Sequence, residues 1–146
     1  MKITETEMNP VEELIYNMVP VEGGTFYMGA QSTSDTLPNY DSPICVCEMP
    51  MHQVTLDSYY INKFEVTQEL WEYVILYSGK AADGSQMEPA TENPWFGDGY
   101  WGSAFTSRPN ARNGLGDNYP AYFVSYNDIV NCFLPRLNAI TGMEFR

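Results

Sequence analysis

The stretch from residue 52 to 77 constrains the fold most, because the period of its apolar residues changes within it. Up to residue 66 they alternate with polar ones, at Val54, Leu56, Tyr60, Phe64 and Val66. That alternation predicts one long strand with a buried face. After Thr67, a favourable N-cap, helical spacing takes over at Leu70, Trp71, Val74, Ile75 and Tyr77. A strand that runs directly into a helix predicts a sheet beside both.

Upstream of this stretch, residues 1–17 form an acidic arm in which Pro10 favours a short helical turn, either docked or loose. Gly23 and Gly24 separate two short apolar runs, which predicts a β-hairpin. Residues 31–50 are rich in Ser, Thr, Asp, Asn and Pro, so we expect a surface loop there.

Downstream, the first long helix should end near Ser78 and Gly79, followed by an irregular loop over residues 80–118. The loop is rich in aromatic residues, which favours packing of the loop on itself, with a ligand platform as the alternative: Trp95, Phe96, Tyr100, Trp101 and Phe105. Residues 119–124 predict a strand.

The last helix should begin at a capping box of Ser125 and Asp128 and close at Gly142. Pro135 falls within it and predicts a kink. Residues 143–146 should leave the helix in extended form.

The formal charge of −12, with no Lys or Arg between Ile3 and Asn62, argues against nucleic acid and anionic membranes as partners. The sequence has neither an apolar run long enough to span a membrane nor the apolar segment of a signal peptide. We therefore expect a cytoplasmic protein.

The candidate metal ligands are few. Cys45 and Cys47 lie one residue apart, a spacing that in extended chain rarely suits a disulfide, and Cys132 lies in the last helix. With His52 as the single histidine, a closed zinc site would lack ligands. We expect three reduced, unligated thiols and a structural role for His52.

Four ordered segments carry a resemblance to a known family: residues 18–30 (MVPVEGGTFYMGA), 50–67 with Pro50, His52 and Glu65-Val66-Thr67, 119–130 (YPAYFVSYNDIV), and 137–146 (LNAITGMEFR). Together they resemble the opening half of the formylglycine-generating enzyme, or sulfatase-modifying factor, family. Tyr126 stands where that family usually has tryptophan.

The resemblance implies an α+β chain with an incomplete C-type-lectin-like fold, having a small, mostly antiparallel sheet, two helices and long irregular loops. Residues 18–146 would be the N-terminal portion of the family's domain. The copper-binding cysteine pair and most calcium ligands of formylglycine-generating enzymes belong to the other half, so no catalytic, cofactor or metal residue carries over. Glu65 is expected to contact a backbone donor or an arginine, and Thr67 is expected to cap a helix. Glu65 is not expected to act as a general acid or base, because no second carboxylate, histidine or nucleophile is placed beside it.

Two functions remain open. The chain is the N-terminal part of an oxidase that converts a sulfatase cysteine to formylglycine, or it is a non-catalytic recognition module of the same architecture; a truncated frame without independent function is a third interpretation. Fold analogy cannot choose between them. We expect no formylglycine formation by this chain alone, and an exposed apolar surface that favours instability, self-association or a protein partner such as a sulfatase or the missing half.

Overall fold

The computed structural model describes residues 8–41, 46–90, 112 and 114–146. The chain divides into two compact units. We call Met18–Ile61 the ribbon unit, and residues 1–17 together with 62–146 the helical unit. The chain has a small α+β structure, as the sequence predicts, but its strands form separate two-stranded sheets instead of the one small sheet that was expected.

The ribbon unit consists of four strands in two pairs. They are β1 (Met18–Val21), β2 (Gly24–Met28), β3 (His52–Leu56) and β4 (Tyr59–Asn62). β1 pairs with β4, and β2 pairs antiparallel with β3 in a register running from Gly24 opposite Leu56 to Met28 opposite His52. A short 3₁₀ turn, Val46–Glu48, precedes β3.

The predicted hairpin at Gly23 and Gly24 is wrong, because β1 and β2 pair with other strands and not with each other. Neither glycine has the positive φ that a tight hairpin turn requires. Gly23 serves instead as a point of close approach. A Cβ atom there would lie 2.6 Å from the Leu56 carbonyl oxygen and 2.6 Å from the Ser58 nitrogen, so only glycine fits where the chain bends between strands.

The single long strand predicted from residue 52 onward is also wrong. It is interrupted between β3 and β4, where the Gly23 amide donates to the Ser58 hydroxyl over 3.0 Å. The even-numbered residues of the stretch do not form a buried face, since Leu56, Tyr60 and Phe64 are exposed. The alternation of apolar and polar residues correctly predicted an extended chain. It did not predict burial, because burial requires another layer of the protein to cover the apolar face.

The helical unit holds the core. Helix α1 (Pro10–Tyr16) begins at Asn9, whose side chain forms a capping box with Glu12, and Pro10 occupies the first turn as predicted. Helix α2 (Gln68–Leu76) follows the Thr67 cap, and α1 packs on α2 through the buried Val11. The N-terminal segment is therefore docked from Asn9 onward.

The buried face of α2 agrees with its predicted helical spacing. Trp71 is 1 % exposed and Val74 and Ile75 are 0 % exposed. The indole ring of Trp71 stacks on Phe133, with centroids 4.7 Å apart and planes 2° from parallel. The core cluster consists of Val11, Leu70, Trp71, Val74, Ile75, Phe133 and Leu137.

The last helical stretch has three parts. Helix α3 (Tyr126–Asp128) begins with the predicted Ser125–Asp128 capping box, a π-helical segment spans Ile129–Phe133, and helix α4 (Leu134–Thr141) ends at Gly142 with φ of 69°. The π segment stands where the sequence predicts a kink. Because Pro135 has no N–H to donate, the regular ladder cannot continue through it, and the Leu134 amide donates five residues back to the Ile129 carbonyl.

Two predictions about the connecting segments need correction. The loop predicted from residue 80 begins with a small antiparallel pair, β5 (Gly79–Lys80) with β6 (Gln86–Met87), turning at Asp83-Gly84. The strand predicted over residues 119–124 is reduced to one bridge between Thr67 and Pro120, and the positive φ of Phe123 ends its extended course. The aromatic part of the loop lies outside the described residues.

Candidate functional site

Polar side chains line the surface at the start of helix α2. A shallow, open cleft there is bordered by α1, the segment that leads into α2, and Asn118. Its polar lining consists of three carboxylates and four uncharged groups: Glu13, Glu65, Glu69, Asn17, Asn62, Thr67 and Asn118. A cleft of this composition can donate and accept hydrogen bonds, and its lining contains no His, Cys, Ser or Lys.

Glu65 lies at this cleft and is exposed. Within the described part of the chain it meets neither a backbone donor nor an arginine, so the expected contact is wrong. Thr67 does act as predicted, because its hydroxyl accepts the Leu70 amide at 3.2 Å. The two predictions differ in the distance along the sequence over which they depend. A helix cap forms between residues three positions apart, whereas a partner for Glu65 would have to come from a distant part of the sequence.

The first amides of α2 are occupied by the protein itself. The Gln68 amide donates to the Tyr119 carbonyl at 2.8 Å and the Glu69 amide to the Asp117 carbonyl at 3.2 Å. The helix N-terminus, with its positive dipole end, would otherwise be able to receive an anion. Here these donors fasten the chain before α3 to the start of α2.

Gln68 strengthens the same junction with its buried side chain. Its amide nitrogen donates to the Gly114 and Pro120 carbonyls, each at 3.2 Å, and its oxygen accepts the Gly116 amide at 3.2 Å. The sequence analysis missed this residue. A polar side chain on the otherwise apolar stripe that includes Trp71 and Ile75 was the available signal.

At the other end of α2, Arg136 joins three segments. Its guanidinium donates to the carbonyls of Val74 and Tyr77, each at 2.9 Å, and to that of Glu88 at 3.0 Å. These are main-chain acceptors at and beyond the end of a helix, where carbonyls lack intrahelical partners and a cation opposes the negative dipole end. The arginine is thus committed to the scaffold.

Asn138 explains much of the last segment that carries the resemblance. Its side chain donates to the Phe145 carbonyl at 3.1 Å and accepts the Phe145 amide at 2.8 Å. Thr141 donates to the Leu137 carbonyl and accepts the Met143 amide. Gly142 is required because a Cβ atom there would lie 2.9 Å from that of Ala82. Each of these residues shapes the chain after α4.

In the ribbon unit, Gln31 organises the first part of the segment that was predicted to be a surface loop. Its buried side chain donates to the Ser34 carbonyl at 2.7 Å and accepts the Thr33 and Ser34 amides at 2.8 and 3.0 Å. Asn39 holds the same loop to the ribbon by donating to the Tyr27 and Gly29 carbonyls. The Nδ1 atom of the exposed His52 lies 3.0 Å from the Pro50 carbonyl oxygen, and a structural role for this residue stays a prediction.

The cysteines depart from the expectation of three free thiols. Cys47 is disulfide-bonded, whereas Cys132 is half-buried and is not in a disulfide. Cys45 lies outside the described residues. The spacing argument assumed extended chain, but Cys47 lies in the 3₁₀ turn Val46–Glu48, where side chains follow a different geometry. The prediction of a reduced Cys47 is therefore wrong.

A model of the sulfatase-modifying factor enzyme 1-like domain matches residues 4–132. That match covers most of the chain. The chain belongs to the sulfatase-modifying factor family. Neither the curated proteins nor the solved structures include a match to it.

The copper site of formylglycine-generating enzymes does not fit the described cysteines. Copper(I) prefers soft thiolate ligands, but the sulfur of Cys47 is in a disulfide and Cys132 packs against the core. Across the described ranges, no group of three or more His, Cys, Asp or Glu is arranged to hold a metal ion. Likewise, no described helix is long and apolar enough to cross a membrane.

Proposed function

We propose that this chain supplies the scaffold portion of a formylglycine-generating protein, in which residues outside this chain oxidise a sulfatase cysteine to formylglycine. Family membership supports the reaction class. The observation that carries the assignment of roles is that Thr67, Arg136 and Asn138 all engage other parts of the scaffold. Such residues position a site without taking part in its chemistry. The same proposal includes a C-type-lectin-like arrangement of the complete domain.

The cleft beside α2 fits this interpretation as a junction. Its walls come from α1, from the segment entering α2 and from Asn118, so three separate stretches of chain are held in one place. Anything that binds against these walls is oriented relative to α2.

The disulfide at Cys47 favours an oxidising compartment over the cytoplasm, because disulfides rarely persist among reducing thiols.

A complementation assay tests the proposal. The chain is incubated with copper, a reductant and a peptide carrying the sulfatase motif, with and without a separately produced C-terminal half of a formylglycine-generating enzyme. Mass spectrometry then measures conversion of the peptide cysteine to the aldehyde. We expect conversion only in the mixture, and a loss of it with Arg136→Ala but not with Arg146→Ala, an exposed control.

Conversion by the chain alone, above a control with metal only, would place catalytic groups in this chain and overturn the division of roles. Absence of conversion in the mixture, with both parts folded, would overturn the enzyme interpretation. The alternative would then be a non-catalytic recognition module. One observation favours that alternative: the ribbon unit exposes a row of apolar side chains on one face of its sheet.

A further inference from the structure

The β2–β3 pair has two chemically different faces. Residues directly opposite one another in an antiparallel pair point to the same side of the sheet, and the side alternates along each strand. The register therefore places Thr25, Thr55, Tyr27 and Gln53 on one face, where the Thr25 and Thr55 hydroxyls lie 2.9 Å apart. The other face carries Phe26, Met28, Val54 and Leu56, with His52 opposite Met28 and Gly24 opposite Leu56 at its two ends. We call the latter the apolar face.

The apolar face is open. Phe26 is 46 % exposed, Met28 is 54 % exposed and Leu56 is 43 % exposed. Strands of five residues make this row about 14 Å long. An apolar row of this kind on an amphipathic pair of strands is typical of a surface that another element covers.

The charge of the ribbon unit selects the kind of occupant. Between Met18 and Ile61 the sequence has no Lys or Arg and five acidic residues, Glu22, Asp35, Asp41, Glu48 and Asp57. Glu22 and Asp57 lie where Gly23 touches the end of β3, and the Glu48 carbonyl accepts the Ala30 amide just beyond the other end of β2. Acidic residues thus lie in the chain next to both ends of the β2–β3 pair.

This distribution disfavours a second copy of the chain, because two ribbon units that each carry five acidic residues and no Lys or Arg would repel each other. We propose that the apolar face docks a cationic, amphipathic segment of another protein, with apolar side chains on the face and Lys or Arg at the acidic ends. The site belongs to the ribbon unit and is independent of the oxidation proposed above, so each proposal can fail without the other.

Three synthetic peptides test this binding by fluorescence anisotropy at low and high salt. The first alternates Lys with Val and Phe, the second replaces each Lys by Glu, and the third replaces each Val and Phe by Ser. We expect the first to bind measurably tighter than the others and to weaken with salt. Equal binding of the Glu peptide would overturn the charge argument, and equal binding of the Ser peptide would overturn the apolar one.

Matched variants assign the site. Phe26→Ser should weaken the first peptide by about tenfold, because an aromatic anchor is lost. Tyr27→Ser is the control, since Tyr27 is 47 % exposed but lies on the opposite face; it should change affinity by no more than about twofold. Paired Glu22→Gln and Asp57→Asn should reduce the salt dependence. A loss with Tyr27→Ser equal to that with Phe26→Ser would overturn the assignment.

Two further measurements distinguish the proposed peptide partner from the two other possible occupants of the apolar face, which are another segment of this chain and a second copy of it. A lower melting temperature for Phe26→Ser than for Tyr27→Ser would mean that this chain covers its own apolar face, which contradicts the proposal. Sedimentation that shows a dimer abolished by Phe26→Ser would assign the face to a second copy and contradict it as well. A monomer with unchanged melting temperature and weakened peptide binding supports it.

Discussion

The helical unit and the ribbon unit use similar residue types with opposite results. Helix α2 buries Trp71, Val74 and Ile75 almost completely, while the ribbon leaves Phe26, Met28 and Leu56 about half exposed. The helical unit brings α1, α2, the π segment and α4 onto one cluster, so each apolar stripe meets another. A pair of strands has no such second layer. Apolar content alone therefore does not make a core, because a core needs a second surface.

The largest test of this comparison is truncation of an aromatic residue in each unit. Trp71→Ala should lower the free energy of unfolding by about 3–5 kcal/mol, because it leaves a cavity beside Phe133. Tyr60→Ala in the ribbon should cost no more than about 0.5 kcal/mol, since Tyr60 is 66 % exposed. Urea unfolding followed by circular dichroism measures both. Equal costs would contradict the division into a buried core and an open ribbon.

Removing Arg136 tests how much of the stability of the helical unit comes from side-chain hydrogen bonds to the main chain. Arg136→Ala should cost about 2–3 kcal/mol, because three carbonyls lose a charged donor. Arg136→Lys should recover only part of this, since one ammonium group cannot span all three acceptors. Arg146→Ala is the exposed control. The same unfolding measurement applies, and full recovery by lysine would reduce the role of Arg136 to its charge.

Substitution of one threonine in each unit should change the stability by a smaller amount. Thr67→Ala removes the cap of α2 and should cost about 1 kcal/mol, with Thr67→Ser retaining most of the stability. Thr25→Ala removes a hydroxyl contact on the exposed ribbon and should cost less, about 0.5 kcal/mol. Thermal unfolding of the three variants provides the ranking. A reversed order would mean that the ribbon is the more tightly held unit.

The smallest expected effect is on the pH dependence of stability. Partial burial, and secondarily the Asp117 carboxylate, raise the pKa of Glu72 above its ordinary 4.5. The folded state then holds this proton more tightly, so the resulting stability is present below pH 4.5 and is lost as pH rises through the raised pKa. Glu72→Gln should remove that decline, whereas Glu22→Gln on the ribbon should leave it. Denaturant midpoints across mildly acidic pH measure the difference.

The sequence by itself determined the structural features that depend on residues close together in the chain. Pro10, the Thr67 cap, the Ser125–Asp128 capping box and the Gly142 end of α4 all lie where their local chemistry predicts. Helical period also identified the buried face of α2. These features depend on contacts within one turn or on a repeat along one element, and both are visible in the order of residues.

The tertiary structure alone decided which strands pair, which polar side chains join distant segments, and which apolar residues remain exposed. Gly23 approaches Ser58, Gln68 holds residues 114–120, and Arg136 joins α4 to the end of α2 across 62 and 59 positions. Each contact depends on where the chain returns in space. Many pairings satisfy the same local preferences, and only simultaneous packing and hydrogen bonding of all the segments selects one of them.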